Sequence, residues 1–393
     1  DPMIKGKKAK MDDLDKQVMA GLNGNIRIIS HTIISPSTKA AIKDFAAKYP
    51  GTKHVMYDAN SAYGILKANK DSFGKMAVPS YDFKKAKVVV GIDADFLATW
   101  VNPITHAHQY TETRKLDSKS KDPSMSRHYQ FESRLSLTGS NADYRVPTKP
   151  SQLGLVAAAL YSAVTGGSDT RGLPKKITDK IAKAAKELLA NKGQSLVVCG
   201  LNDPNVQILV NAINNTLGNY GKTIDMEKTS NLQKGDDLAM NAFIDDVKNG
   251  SVDTVIFYGA NPVYNHPRGA ELKAALKKVK TKISLSYTPD ETSDLCDFVA
   301  PDNHFLESWG DAEPVEGLYS VQQPSIRPLF RTRTAQESLL TWAGNKQSFY
   351  DYVRGYWKKN LMSSQDKHNE FESFWTTTLY LGGYTGTKTA KKV

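Results

Sequence analysis

Apolar positions along this chain follow two periods. Short β-branched runs predict strands at Asn25–Ser30 (NIRIIS), Lys53–Tyr57 (KHVMY), Val88–Val90, Ser195–Gly200 (SLVVCG) and Thr254–Tyr258 (TVIFY). Apolar residues at helical spacing predict helices over Met11–Leu22, Thr38–Lys48, Ser61–Lys70, Gln152–Thr165, Thr178–Ala190 and Asn205–Leu217. Ser35 or Ser37 is placed to cap the second of these. Strand and helix alternate, which is the order of a mainly parallel sheet covered by helices.

One pattern occurs twice. Val88–Trp100 (VVVGIDADFLATW) is followed by Ser136–Thr148 (SLTGSNADYRVPT), and the run from Val255 (VIFYGANPVYNHPRG) by Ser286–Pro301 (SYTPDETSDLCDFVAP). Each copy has an apolar strand, a turn, a helical stretch, then Thr-x-x-x-(Ala/Cys)-Asp leading into another strand. The pattern predicts an α/β chain of two pseudo-repeated, Rossmann-like parallel-sheet units. The expected boundaries are a leading segment at 1–24, a first unit at 25–170, a second at 171–345 and a helical or extended tail at 346–393. The Gly-rich stretch Thr165–Pro174 is expected to hinge the units. Polar Asn102–Ser126, with the charge run RKLDSKSKDPS, reads as a long surface excursion that could fill a cleft. Arg327–Arg333 reads as an extended arm, followed by helices at Ala335–Ala343 and Lys346–Lys359.

Composition narrows the chemistry. The 393 residues are 40% hydrophobic and 24% charged, as in an ordinary globular chain. No apolar run is long enough to cross a membrane, and no signal peptide begins the sequence. Asp1–Lys10 reads as a scar or the cut edge of a longer protein. The net charge of +11 is spread over helical lysines without a basic run interleaved with aromatics. A solvated surface is therefore expected, with a partner-facing basic surface next and nucleic-acid binding excluded. Cys199 and Cys296 are the only cysteines, too few for a four-cysteine iron–sulfur or zinc site. Both sit among apolar residues and read as buried small hydrophobes.

Gly259-Ala260-Asn261-Pro262 follows a predicted strand directly, at the edge where open α/β sheets bind ligands. His266-Pro267-Arg268-Gly269 would add an imidazole and a guanidinium to that rim. Three stretches in order, Gly259–Pro267, Asp290–Gly310 (DETSDLCDFVAPDNHFLESWG) and Glu316–Leu329 (EGLYSVQQPSIRPL), resemble the molybdopterin oxidoreductase family. Thr138–Asp143 and Asn214–Gly221 (NNTLGNYG) carry the resemblance into the other copy. It spans roughly residues 25–345. It implies two related domains that clasp molybdopterin guanine dinucleotide, with Gly259, Asn261, His266, Glu291, Thr292 and Asp297 on the matching rim. Glu291 and Asp297 are expected to shape the strand–loop geometry first. His266 and His304 flank the rim and are expected to cap or hydrogen-bond loops.

The chain departs from that pattern. The cysteine set that binds an iron–sulfur cluster in the family has no counterpart here. Asp93 and Asp95 stand where relatives carry neutral groups, and would repel a pyrophosphate. Asp93–Trp100 (DADFLATW) and Met125–Val146 (MSRHYQFESRLSLTGSNADYRV) resemble, more narrowly, the ActB subunits of alternative complex III, a quinol-oxidising respiratory complex. That resemblance implies a cofactor-free, structural region without catalytic residues. Iron–sulfur clusters would be confined to an adjoining region. The partners would be that region, a quinol-binding membrane subunit and cytochrome c subunits, on the periplasmic side of the membrane. The alternative is a genuine molybdopterin guanine dinucleotide-binding fragment.

His106, His108 and His128 with Asp93 and Asp95 are metal-ligating types in nearby stretches. No single helix or strand holds them together, so no metal site is expected. Trp100 and Trp309 read as apolar anchors.

Overall fold

The computed structural model describes residues 1–116 and 124–386. Its backbone packs into two units, Asp1–Ser61 with Lys234–Val393, and Ala62–Gln233. These boundaries differ from the sequential division at 25–170 and 171–345. Strand pairing explains the difference: Ile26–Ser30 lies parallel to Thr254–Tyr258, with Ile28 opposite Ile256, so the start of the chain joins its later half. Thr165–Pro174 is correspondingly no hinge between units. It links helices Pro150–Val164 and Lys175–Ala190, which share one core.

In the first unit, parallel strands lie in the order Phe298–Val299, Thr281–Ser284, Thr254–Tyr258, Ile26–Ser30 and Lys53–Met56. Side chains alternate between its faces. Ile26, Ile28 and Ile256 pack against Leu14, Phe45, Leu339 and Trp342 from helices Met11–Gly21, Pro36–Lys48 and Ala335–Trp342. Ile29, Val255 and Phe257 pack on the other face against Met240, Phe243 and Leu272 from Asp237–Lys248 and Gly269–Ala275. Met3–Ile4, within the segment expected to be a scar or cut edge, pairs antiparallel with Phe298–Val299 and extends the sheet. Beyond the sheet, an antiparallel ribbon of Gly310–Val315, Leu318–Gln322 and Gly383–Thr385 carries helices Phe349–Asn360 and Phe371–Leu381 on an aromatic core of Tyr319, Trp357, Phe374 and Trp375. The lysine-rich end at 387–393 lies outside the described residues.

The second unit has a four-stranded parallel sheet in the order Tyr144–Pro147, Arg127–Glu132, Val88–Ile92 and Ser195–Cys199. Helices Pro150–Val164, Lys175–Ala190 and Pro204–Thr216 cover one face. The other face is covered by Tyr63–Phe73, Pro103–Arg114 and the antiparallel pair Val78–Tyr81 and Ile224–Ser230. Pro103–Arg114 corrects the surface excursion expected at Asn102–Ser126. It is a helix, because Tyr110 and His106 are buried beside Phe83 and Phe96. The charge run that follows falls largely on 117–123, outside the described residues.

Candidate functional site

A cleft of about 730 Å³ opens in the first unit at the carboxyl ends of Ile26–Ser30, Thr254–Tyr258 and Thr281–Ser284. The turns that follow these strands form its walls, at His31–Ser35, Gly259–Asn261 and Leu285–Thr288. Gly259 takes φ +63°, and a Cβ there would lie 2.6 Å from His31 Nδ1. Glycine is thus required both by the backbone and by the close approach of the imidazole. Ser35 caps Pro36–Lys48 by accepting the Thr38 N–H at 2.9 Å, which settles the choice between Ser35 and Ser37.

Of the rim residues expected from sequence, Gly259 and Asn261 line the cleft. Asn261 is held from both ends of its amide. It donates to Glu291 at 2.7 Å and accepts from Thr292 Oγ1 at 2.7 Å. The donated bond keeps Glu291 below its ordinary pKa. His266 and Asp297 stand away from the cleft. His266 Nδ1 accepts the Arg268 N–H at 3.0 Å, its ring meets Tyr57 edge-on, and burial lowers its pKa. Asp297 accepts the Lys282 N–H at 3.1 Å and pairs with its ammonium at 2.8 Å. His304 lines the cleft and caps a short turn, its Nδ1 accepting from Leu306 N–H at 3.3 Å.

The second unit repeats three of these contacts. Val263 donates its N–H to Thr292 Oγ1 at 3.2 Å, and Leu97 donates its own to Thr138 Oγ1 at 2.9 Å. Thr138 Oγ1 donates to Asp95 at 2.8 Å, as Thr292 does to Asn261. Asp143 accepts the His128 N–H at 2.8 Å, as Asp297 accepts that of Lys282. A threonine hydroxyl can donate and accept at once, so one side chain ties the strand-end turn to the next loop. The aspartate anchors the start of the neighbouring strand. The Thr-x-x-x-(Ala/Cys)-Asp pattern therefore has a fastening role in both copies.

The two strand ends differ in what the turn leaves open. Asp93 takes φ +52° at the position that Gly259 occupies in the other copy. Its backbone carbonyl presses on Gly200, where a Cβ would lie 2.2 Å away. Asp95 O accepts the N–H groups of Thr99 and Trp100, each at 2.9 Å, and the Trp100 indole donates to Cys199 O at 3.2 Å. The Asp93–Trp100 turn thus covers these strand ends. Asn102–Ser126, the filler expected from sequence, contributes the Pro103–Arg114 helix elsewhere on the unit. His106 and His128 are buried, which holds both imidazoles down to about pKa 4, whereas His108 is exposed. His128 is bonded to Tyr110 and Gln130. Among the described residues no group of three or more His, Cys, Asp or Glu could hold a metal ion. Both cysteines are free, and burial raises both thiols, with Cys199 reaching about 12.

Sequence reasoning missed several cleft residues, notably Asp302, Asp311 and Gln336. Gln336 bridges Tyr258 OH and Thr38 Oγ1, each at 3.0 Å. Asp302 follows a strand as part of APDNH, the one local signal that marked it. Burial pushes its carboxyl up to about pKa 7, against acceptance of the Ala335 and Asn303 N–H groups. The folded state then binds the proton more tightly than the unfolded chain. The Asp302 contribution to stability accordingly falls as pH rises from about 4 to 7 and is flat above. Asp302→Asn keeps an acceptor for Ala335 and removes the charge. Urea denaturation at pH 5 and pH 8 is expected to show the variant gaining on the wild type by on the order of 1 kcal/mol at the higher pH. An unchanged difference would place the carboxyl in an ordinary solvated setting.

The architecture is a molybdopterin-oxidoreductase-like fold. Acetylene hydratase from Pelobacter acetylenicus superposes with a TM-score of 0.67 at 9% identity, over 97% of this chain and 64% of that one. The formyltransferase/hydrolase complex of Methylorubrum extorquens, solved with methylofuran, superposes with a TM-score of 0.59 at 13% identity, over 88% of this chain and 98% of that one. In sequence, the chain is similar to the molybdopterin-binding-like subunit of menaquinone reductase from Nitratidesulfovibrio vulgaris (strain Hildenborough), 26% identical over 317 residues. That alignment takes in 70% of this chain and 45% of the relative, so the chain spans about half the length of the curated relative it matches. No family model matches the sequence.

Proposed function

We propose that this chain is a cofactor-free structural region of a respiratory electron-transfer complex, built from a pseudo-repeated pair of Rossmann-like units. The observation that carries this reading is the chemistry of the cleft. Asp290, Asp302 and Asp311 line it, and no lysine or arginine does so among the described residues. A guanine dinucleotide would bring a doubly charged pyrophosphate against these carboxylates with no cation to offset it. At the other strand ends, Asp95 replaces the neutral Asn261, and the Asp93–Trp100 turn lies over the edge. The residues present therefore do not fit molybdopterin guanine dinucleotide.

The likeness to a molybdopterin-binding-like subunit of a menaquinone reductase supports a place beside quinone chemistry. The ActB-like stretches support a scaffold that orients an adjoining iron–sulfur region, a quinol-binding membrane subunit and cytochrome c subunits on the periplasmic face. No helix among the described residues is long and apolar enough to cross a membrane, in keeping with a peripheral position.

Metal analysis and oxidised-pterin fluorescence on the native complex test this reading. Iron without molybdenum, tungsten or pterin is expected. Guanosine diphosphate at millimolar concentration is expected to leave the melting temperature of this chain unchanged. Stoichiometric molybdenum or tungsten with pterin would establish the alternative, a working dinucleotide-binding fragment using Gly259 and Asn261.

A further inference from the structure

The segment Ser325–Arg331 (SIRPLFR) of the first unit is exposed along its whole length, yet it is pinned. Ser325 and Ile326 donate their N–H groups to Leu306 O at 2.7 and 3.1 Å. Leu329 donates its own to Glu307 at 3.1 Å. Just beyond, Arg333 donates its N–H to Pro301 O at 3.2 Å, and its guanidinium meets Asp15 through two bonds of 2.8 and 2.7 Å. Pro324 and Pro328 restrict the backbone further.

This fixed frame presents large apolar side chains to solvent. Leu329 is 72% exposed, Phe330 73% and Phe305 61%, with Ile326 and Leu306 alongside. Contiguous apolar groups held out in this way mark a binding surface, and their prior ordering removes part of the entropic cost of association. Arg327 and Arg331 flank them, and neither has an ion pair or hydrogen bond among the described residues. Aromatic side chains beside arginine are the composition of interface anchors.

We propose that Ser325–Arg331, with Phe305 and Leu306, is a docking surface for a different polypeptide chain. The partner surface carries carboxylates opposite Arg327 and Arg331 around an apolar recess that takes Leu329 and Phe330. A second copy of this chain fits poorly, since a two-fold contact sets the same cations near each other. An anionic lipid surface would meet the carboxylate of Glu307, which touches the segment at Leu329. The proposal rests on reading the chain as a subunit of an assembly and is independent of whether its cleft holds a cofactor.

The test is site-specific photo-cross-linking of the full chain in its native assembly, with Phe330→p-benzoylphenylalanine and mass spectrometry of the joined peptides. The expected product links position 330 to an acidic segment of another polypeptide. Combining Arg327→Glu with Arg331→Glu is expected to lower its yield about tenfold, because like charges then face each other. Arg327→Gln with Arg331→Gln is expected to give an intermediate loss. An unchanged melting temperature in both pairs shows that folding is not the cause. A product joining two copies of this chain, a lipid adduct, no product, or a yield indifferent to the charge reversal would overturn the proposal. Metal and pterin content of the same preparation reports on the cofactor reading separately.

Discussion

Asp311→Ala is expected to cost about 4 kcal/mol of stability, from several buried donors left without an acceptor at about 1–3 kcal/mol each. The Asp311 carboxylate accepts from Ser35 Oγ and Ser37 Oγ at 2.5 Å, from Ser37 N–H at 3.3 Å and from Trp357 Nε1 at 2.8 Å. Ser37 and Trp357 are fully buried, so water cannot replace the lost acceptor. One carboxylate thereby joins the helix Pro36–Lys48, the ribbon strand Gly310–Val315 and the helix Phe349–Asn360. Burial raises its pKa and the four donors oppose that rise. Trp357→Phe, which removes one donor and keeps most of the ring, is expected to cost far less. Urea denaturation of both variants separates the network from the packing. A loss under about 1 kcal/mol for Asp311→Ala would mean that the donors find other partners.

Asp15→Ala is the second large effect, about 3–5 kcal/mol, the cost of stranding one member of a buried ion pair. Asp15 accepts two bonds from Arg333 and one from Trp342 Nε1 at 2.8 Å. Its side chain is 8% exposed and that of Arg333 19%. Removing Asp15 leaves a guanidinium in a site that excludes most water. Arg333→Ala on top of Asp15→Ala is expected to recover part of the loss, since the double variant has no stranded charge. A double-mutant cycle by urea denaturation measures the coupling. Additive losses would show that the pair acts through its packing alone. Because Arg333 ends the exposed arm, the single variant is also expected to speed amide exchange across residues 325–333.

Local patterning was enough to locate most elements. Ile26, Ile28 and Ile29 in NIRIIS, and the unbroken apolar run TVIFY, carry a strand signal that needs no distant partner. The Ser35-Pro36 cap, the Gly259 turn and the repeated threonine and aspartate could be read as well. The cap and the turn act on backbone within a few residues, and the threonine and aspartate were legible because their short pattern occurs twice, although their partners lie on other segments. The helix Pro103–Arg114 escaped because its buried side chains include His106 and Tyr110, polar by type. They become core residues only beside Phe83, Phe96 and Trp100.

The sequence by itself determined the periods, the caps, the strand-end turns and the family resemblance, all properties of short segments or of their order. Only the tertiary structure decided which strands share a sheet. Parallel pairing of Ile26–Ser30 with Thr254–Tyr258 makes the units discontinuous, and parallel neighbours carry no local signal of each other. It also decided that aspartates from three separate segments line one cleft without a lysine or arginine among the described residues. The chain as a whole has a net charge of +11, and nothing in that sum shows where the acidic groups converge. Charge is a property of composition, whereas the potential at a site depends on distances that only folding sets.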